Sequence, residues 1–560
     1  MKEMKRIVYL FVAVLFCSMA KAQPESWAKK AAKSLFTVKT FDASGSLLGS
    51  GNGFFVGETG EAVGNFAPFN GSARAIVIDA AGKEYPVDCI VGANEMYDIA
   101  KFRVNVKKCI PLSVGSPAAV ESALWLLPYA QKQVKPIEGK VVKVEKVNND
   151  YDYYSLTLPA PENAVGCPLL NAAGEVVGLL QLSSSDDKNT QYAVGASFAT
   201  SLKMTAFGMN DAAMKATSIK KELPDELDQA ITTLYLSSTL GNADTFVEIV
   251  DDFIAKFPQA PDGYSYKGQI MAAKDNYTEA DKFMLKAIEL ADNKAEAQYN
   301  YARLMYQNLV YFPEKASQAW TYEKALDQID QAVSADPQQL YMTQKAEILF
   351  ISKRYDESYN TYREVLDKFS KTPEAFYGAA RCKEMLNDST AFIALLDSAV
   401  ATFSQPYLKE AAPYLFARAQ ALAGAGKYRQ AVNDYNEYEK LMPAQVTGQF
   451  YYIRAQAEIN GRLFQQAIND LDRAIAKNPE VFLFHSEKAS LLVRVNLLDE
   501  AIEAANECIR ISPDASDGYL FLGLAQCLKN DKLQGVRNLL KAKDLGDPQA
   551  DVLIEKYGKQ

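Results

Sequence analysis

Histidine is nearly missing from this chain, whose 560 residues contain only His485. Most zinc sites and most acyl-transfer triads rely on imidazole, so this count removes a broad range of metal and nucleophilic chemistry. Excess positive charge is missing as well. Sixty Lys and Arg against 69 Asp and Glu give a net charge of -9, which argues against a protein that neutralises nucleic-acid phosphates, and no nucleic-acid partner is expected. The seven cysteines include no CxxC pair and provide neither a zinc site nor a disulfide framework. Neither a P-loop nor a dinucleotide glycine fingerprint occurs. The acidic pairs Asp150/Asp152 and Asp186/Asp187 lack the glycine and terminal glutamate of a calcium loop and read as solvated turns. No cofactor or metal is expected. Beyond residue 22 no apolar run is long enough to span a bilayer.

At the start of the chain, Lys2, Lys5 and Arg6 precede an apolar run from Ile7 to Cys17, followed by Ala20-Lys21-Ala22, the small-x-small pattern of a signal-peptidase site. The run is too short to cross a membrane. Phe16 stands before Cys17 where a lipidation signal has a small residue. Residues 1–22 therefore read as a cleaved signal peptide with the mature chain starting at Gln23, exported and periplasmic, with cell surface or secretion left open. They carry a net charge of +3, which leaves -12 on the remainder. An exported protein can pair Cys89 with Cys109, on neighbouring strand-like segments. The alternative is that these and Cys167, Cys382, Cys508 and Cys527 are buried thiols.

Two periodicities follow. Between about Ser34 and Leu202 the pattern is of short β-branched and aromatic strands, among them Leu35 to Phe41, Gly53 to Val56, Tyr85 to Val91, Lys140 to Val144, Tyr153 to Leu158 and Val176 to Leu182. Many short strands with no helical period between them indicate a closed barrel or a sandwich. After about Lys220 the pattern becomes helical and repeats. Small residues and a terminal proline recur in register as Ala455, Ala467, Ala474, Pro479, then Ala489, Ala501, Cys508, Pro513, with Ala419, Ala431, Tyr438, Pro443 upstream. The spacing of 8, 20, 27 and 32 within a unit of about 34 residues resembles the tetratricopeptide repeat (TPR) family over residues 225–545, in about nine copies. One copy keeps register only with an insertion near Tyr311 to Trp320. A last helix, roughly Pro548 to Tyr557, would cap the stack.

In the first half, Gly49-Ser50-Gly51-Asn52-Gly53-Phe54-Phe55-Val56 precedes Val63-Gly64-Asn65-Phe66-Ala67. Tyr97-Asp98-Ile99-Ala100 follows, then Asn163-Ala164-Val165-Gly166-Cys167-Pro168-Leu169-Leu170-Asn171 and Gly174-Glu175-Val176-Val177-Gly178. These segments, within residues 27–205, resemble the trypsin-like serine proteases of the exported bacterial type, with their V-T-N-x-H, D-[IL]-A and G-N-S-G-G-P-L-L-N patterns. The resemblance puts Ala67 at the general base, Asp98 at the orienting aspartate and Val165 at the nucleophile. A methyl group takes no proton and an isopropyl group attacks no carbonyl, so no catalytic residue is assigned. Asn163 also replaces a glycine whose backbone N–H serves the family's oxyanion hole.

The expected architecture is multidomain, an all-β trypsin-like double β-barrel followed by an all-α TPR solenoid. It comprises a signal peptide (1–22), the degenerate trypsin-like domain (23–215), a linker (216–224) and the solenoid (225–560). The inner helices of such a solenoid line a groove suited to proteins or peptides. Repeat positions 5 and 9 place Phe416, Gln420, Tyr452, Gln456, Ser486 and Ser490 there as candidate binding residues. The resulting expectation is an exported protein-binding scaffold. The alternative is a serine-type endopeptidase using Ser183, Ser184, Ser185 or Cys167, with a holdase as a third reading. His485, on an inner helix, reads as a packed side chain.

Overall fold

In a computed structural model, which describes residues 25–128, 135–147, 150–183, 189–240 and 242–558, the first half forms two closed six-stranded antiparallel barrels. The expected signal peptide and Ser184, Ser185, Asp186 and Asp187 lie outside the described residues. The first barrel holds β1 (Leu35–Phe41), β2 (Leu47–Phe55), β3 (Glu61–Gly64), β4 (Arg74–Asp79), β5 (Glu84–Asn94) and β6 (Ile99–Val104), in the order β1-β2-β3-β6-β5-β4. The second holds β7 (Ala123–Leu126), β8 (Ile137–Val147), β9 (Tyr151–Thr157), β10 (Pro168–Leu170), β11 (Val176–Leu180) and β12 (Thr190–Gly195), and repeats that order. Closure removes exposed sheet edges, and alternation fills the interiors. Phe36, Val38 and Thr40 of β1 are all buried in the first barrel, while Val141, Tyr154 and Leu156 are buried in the second.

A third apolar layer joins the barrels. Leu35, Phe54 and Val63 meet Leu170, Val176 and Val194 there, with Ala28 and Ala31 of α1 (Glu25–Ala31) and Phe198 of α2 (Ala196–Ser201) packed in. Asp152, expected in a solvated turn, is instead a buried strand residue of β9, ion-paired to Lys146 at 2.9 Å.

Residues 216–224, expected as a linker, are built into the first barrel. β5 is bulged on both sides of Ile90, whose N–H donates to Lys220 O at 2.8 Å and whose carbonyl accepts Glu222 N–H at 2.9 Å. Thr217, Ile219 and Leu223 are buried. The following helices, α3 (Ala212–Lys215) aside, are α4 (Leu227–Leu240) and α5 (Ala243–Lys256). Lys256 of α5 donates to Leu223 O and Asp225 Oδ1, each at 2.7 Å. The chain accordingly divides at Ile270/Met271, so this first helix pair belongs with the barrels.

The helices α6 (Pro261–Ala273) and α7 (Tyr277–Leu290) follow, and antiparallel pairs continue with α8/α10 (Lys294–Tyr311, Tyr322–Ala335) around the short α9 (Pro313–Ala316), and α11/α12 (Gln339–Ile351, Tyr355–Lys368). Then come α13/α14 (Pro373–Met385, Ser389–Val400), α15/α16 (Ala412–Gly424, Tyr428–Leu441) and α17/α18 (Gly448–Asn460, Phe464–Lys477). The series ends with α19/α20 (Phe482–Arg494, Leu498–Ile511), α21/α22 (Ser516–Leu528, Lys532–Asp544) and α23 (Ala550–Tyr557). The repeat alanines Ala419, Ala431, Ala455, Ala467, Ala489 and Ala501 are fully buried, because a methyl group is what allows two helices to touch at those positions. The turns inside the six pairs from α11/α12 to α21/α22 use a left-handed residue, Lys353, Asn387, Gly426, Arg462, Asn496 and Asn530, which satisfies the carbonyls at the end of the inner helix.

Candidate functional site

Ala67, Asp98 and Val165, the positions that the resemblance puts at a triad, are linked through hydrogen bonds around the barrel interface. Asp98 sits between β5 and β6 with φ 47°, a left-handed conformation costly for a side-chain-bearing residue. Its Oδ1 accepts the backbone N–H of Ala67 at 2.5 Å, and its own carbonyl accepts Phe66 N–H at 3.2 Å. The aspartate therefore binds the main chain at the position where the resemblance puts an imidazole. Burial raises its pKa, opposed by hydrogen bonds from the Ala67 and Phe66 backbone and the Asn65 side chain.

Two asparagines that sequence reasoning did not single out complete the arrangement. Asn65, nearly buried, accepts Asn52 N–H on its Oδ1 at 3.1 Å. The Asn52 side chain, on β2, reaches across the interface and donates from Nδ2 to Asn163 O at 2.8 Å and Val165 O at 2.9 Å. A chain of amide contacts thus runs from Asp98 through Asn65 and Asn52 to the second barrel. Two carbonyl oxygens of the loop 163–165 are thereby held by β2. Glycine marked the spot in the sequence. A Cβ on Gly51 would lie 2.2 Å from Asn65 Oδ1, and one on Gly166, at φ +82°, 2.6 Å from Asn52 O. Beside the network lies a cavity of about 300 Å³ lined by Thr37, Ser50, Asn52, Glu162 and Asn163 among others. Asn52→Ala is expected to destabilise the barrel unit by about 1–2 kcal/mol in urea unfolding, since the part-buried Val165 carbonyl and the exposed Asn163 carbonyl lose their donor. An unchanged midpoint would show that the clasp contributes nothing.

Of the alternative nucleophiles, Cys167 and Ser183 lie among the described residues. Cys167 is fully buried in the second barrel, and Ser183 donates its hydroxyl to Thr190 O at 2.8 Å. Cys89 and Cys109 are both free thiols. Burial pushes the Cys89 thiol up to about 12 and raises that of Cys109, which donates to Gly57 O at 3.0 Å.

In the helical unit the six groove candidates are unequally available. Gln420 is exposed. Phe416 packs with Tyr435, Tyr438 and Phe450, its ring centroid 5.0 Å from that of Tyr438, so it belongs to the inter-repeat core. Tyr452 stacks on Phe484 at 5.3 Å. Gln456 is half-buried, and its Nε2 has no partner among the described residues. Ser486 is buried and Ser490 half-buried. His485 is buried, with Nε2 2.8 Å from Pro479 O. No helix among the described residues is long and apolar enough to cross a membrane.

Residues 51–179 match the family described as a trypsin-like peptidase domain, and residues 452–516 match the tetratricopeptide repeat. The chain is 21% identical over 248 residues to a TPR repeat-containing protein of Methanocaldococcus jannaschii, covering 44% of this chain and 41% of that protein. It thus spans about two fifths of the length of that curated relative. Among solved structures it is similar to the active form of the Rv3671c protease from M. tuberculosis, with 17% identity and a TM-score of 0.27, covering 35% of this chain and 84% of that one. A serine endoprotease from Yersinia pestis is similar at 17% identity and a TM-score of 0.28, covering 31% of this chain and 63% of that one. The chain carries a trypsin-like peptidase domain of two six-stranded barrels, and TPR repeats in its helical part.

Proposed function

We propose that this protein is an exported protein-binding scaffold in which the trypsin-like domain has lost catalysis and the TPR groove holds a partner protein. One observation carries the reading. Asp98 is bound to the Ala67 backbone and Asn52 ties the second barrel's carbonyls to the first, around Ala67 and Val165, which the resemblance puts at the base and nucleophile positions. A site so arranged has no group to remove a proton from an attacking atom and none to attack. Among the described residues, the buried Cys167 thiol and the Ser183 hydroxyl donated to Thr190 O do not favour the endopeptidase alternative. Export and periplasmic residence rest on the Lys2 to Ala22 pattern. Protein recovered from the envelope fraction of its native cells, with Gln23 at its N-terminus, is expected to leave unfolded casein intact. Casein turnover abolished by Ser183→Ala or Cys167→Ala would overturn the loss of catalysis, and a retained residue 1 would overturn export.

A further inference from the structure

Between α13, α14 and α15 lies a groove of about 560 Å³, within the range of about 300–1,000 Å³ seen for ligand pockets. Phe392 and Ile393 of α14 and Ala417, Ala421 and Gly424 of α15 give it an apolar floor, beside which Gln420 of α15 also lines the groove. A Cβ built on Gly424 meets nothing within 4 Å, so this floor opens onto free space. The rim is polar and its charge has one sign. Glu384, in the last turn of α13, is exposed and has no ion pair among the described residues. The two cations of the same helix are engaged by other groups, Lys383 Nζ lying 4.0 Å from the Asp388 carboxylate. Arg381 lies over the Phe350 ring at 4.1 Å and Lys383 over Tyr359 at 4.0 Å, both on the preceding pair α11/α12. The C-terminal turns of α13 and α15 both border the groove and add the negative ends of their dipoles. The one helix N-terminus there, that of α14, is already answered by the Asp388 carboxylate, which accepts Ala391 N–H at 3.1 Å.

From this apolar floor and uncompensated negative rim we infer that the groove binds a partner peptide in which an arginine or lysine lies next to a leucine- or phenylalanine-sized side chain. The apolar side chain fills the space over Ala421 and Gly424, and the cation meets Glu384. Charge complementarity fixes the sign of the ligand, since an acidic peptide would face Glu384 and two helix C-termini. The inference rests on the protein-binding reading above and specifies its partner.

The test screens a random displayed peptide library against the full-length protein and titrates single enriched peptides against wild type, Glu384→Lys and Gly424→Leu. Both substituted positions are exposed, and circular dichroism checks that the variants keep their helices. Enriched peptides are expected to share a basic residue within two positions of an apolar one. Glu384→Lys is expected to weaken them by about tenfold or more, and Gly424→Leu, which fills the floor, by a similar factor. Enriched peptides that are acidic, or whose affinity neither variant changes, overturn this groove assignment while leaving protein binding intact. A library that yields no enriched peptide overturns both.

Discussion

Trp320→Ala is expected to lower the stability of the helical unit by about 3–5 kcal/mol, in the range of buried aromatic truncations. Trp320 closes the insertion that lengthens one repeat. It is fully buried, with its ring 4.7 Å from that of Tyr277 and 6.4 Å from that of Tyr301. Its Nε1 donates to Asp281 Oδ1 at 2.7 Å, an oxygen that also accepts the Tyr301 hydroxyl. The other carboxylate oxygen takes Lys324 Nζ at 2.6 Å. Alanine would leave a cavity among aromatic side chains and remove one of three donors from a part-buried carboxylate. Trp320→Phe keeps most of the packing and loses the N–H, so a smaller cost of about 1–2 kcal/mol is expected. Urea unfolding of the full chain, followed by far-UV circular dichroism, measures both. A loss below about 1 kcal/mol for the alanine variant would mean that the insertion is not held by this ring.

Glu458→Gln is expected to stabilise the same unit, and only at higher pH. Arg454 donates to Asp470 with two nitrogens, at 2.6 and 2.9 Å, and to Glu439 at 2.7 Å. Glu458 is left 4.0 Å from that guanidinium, 3% exposed, with Oε2 unpartnered among the described residues. Burial, and then the Asp470 charge, raise its pKa from 4.5 to about 8. The sign follows from proton binding. Below pH 4.5 the folded and unfolded chains both hold the proton, and this carboxyl makes no pH-dependent contribution. Between 4.5 and about 8 the unfolded chain releases it while the folded chain keeps it, so stability falls with rising pH and levels off above 8. At about 1.4 kcal/mol per pKa unit, glutamine in this place is expected to match wild type in acid and exceed it by about 3–5 kcal/mol in mild alkali. Unfolding curves across this range check it, and parallel pH profiles for the two proteins would contradict the proton uptake.

Local pattern was sufficient for much of the fold. β1 runs from Leu35 to Phe41 as its β-branched and aromatic residues suggest, and the repeat alanines fall where helices touch. The strands that escaped sequence reading were β3, β7 and β10, each of three or four residues. So short a segment shows no alternation, and ladder partners on both sides specify it. The stretch 216–224 has linker composition but follows the first barrel, because a bulged strand left the Ile90 backbone groups to be paired. Asp152 offered no sign that it would be a buried strand residue with a lysine partner.

For the cleft, the histidine count was readable from the sequence because it depends on residue identity alone, whereas Ala67, Asp98 and Val165 were picked out only by the resemblance. The sequence by itself determined most of the strands, a TPR period, and a first half without histidine. Only the tertiary structure decided what occupies that cleft, because Asn52 and Asn163 are 111 residues apart and meet through the barrel interface. The same holds in the solenoid. Repeat position placed Phe416 and Tyr452 on the inner face, but contacts with the next repeat drew both rings into stacking, while Gln420 stayed exposed. Periodicity fixes the side of a helix on which a residue lies, whereas its exposure depends on the size and shape of neighbours that the period does not specify.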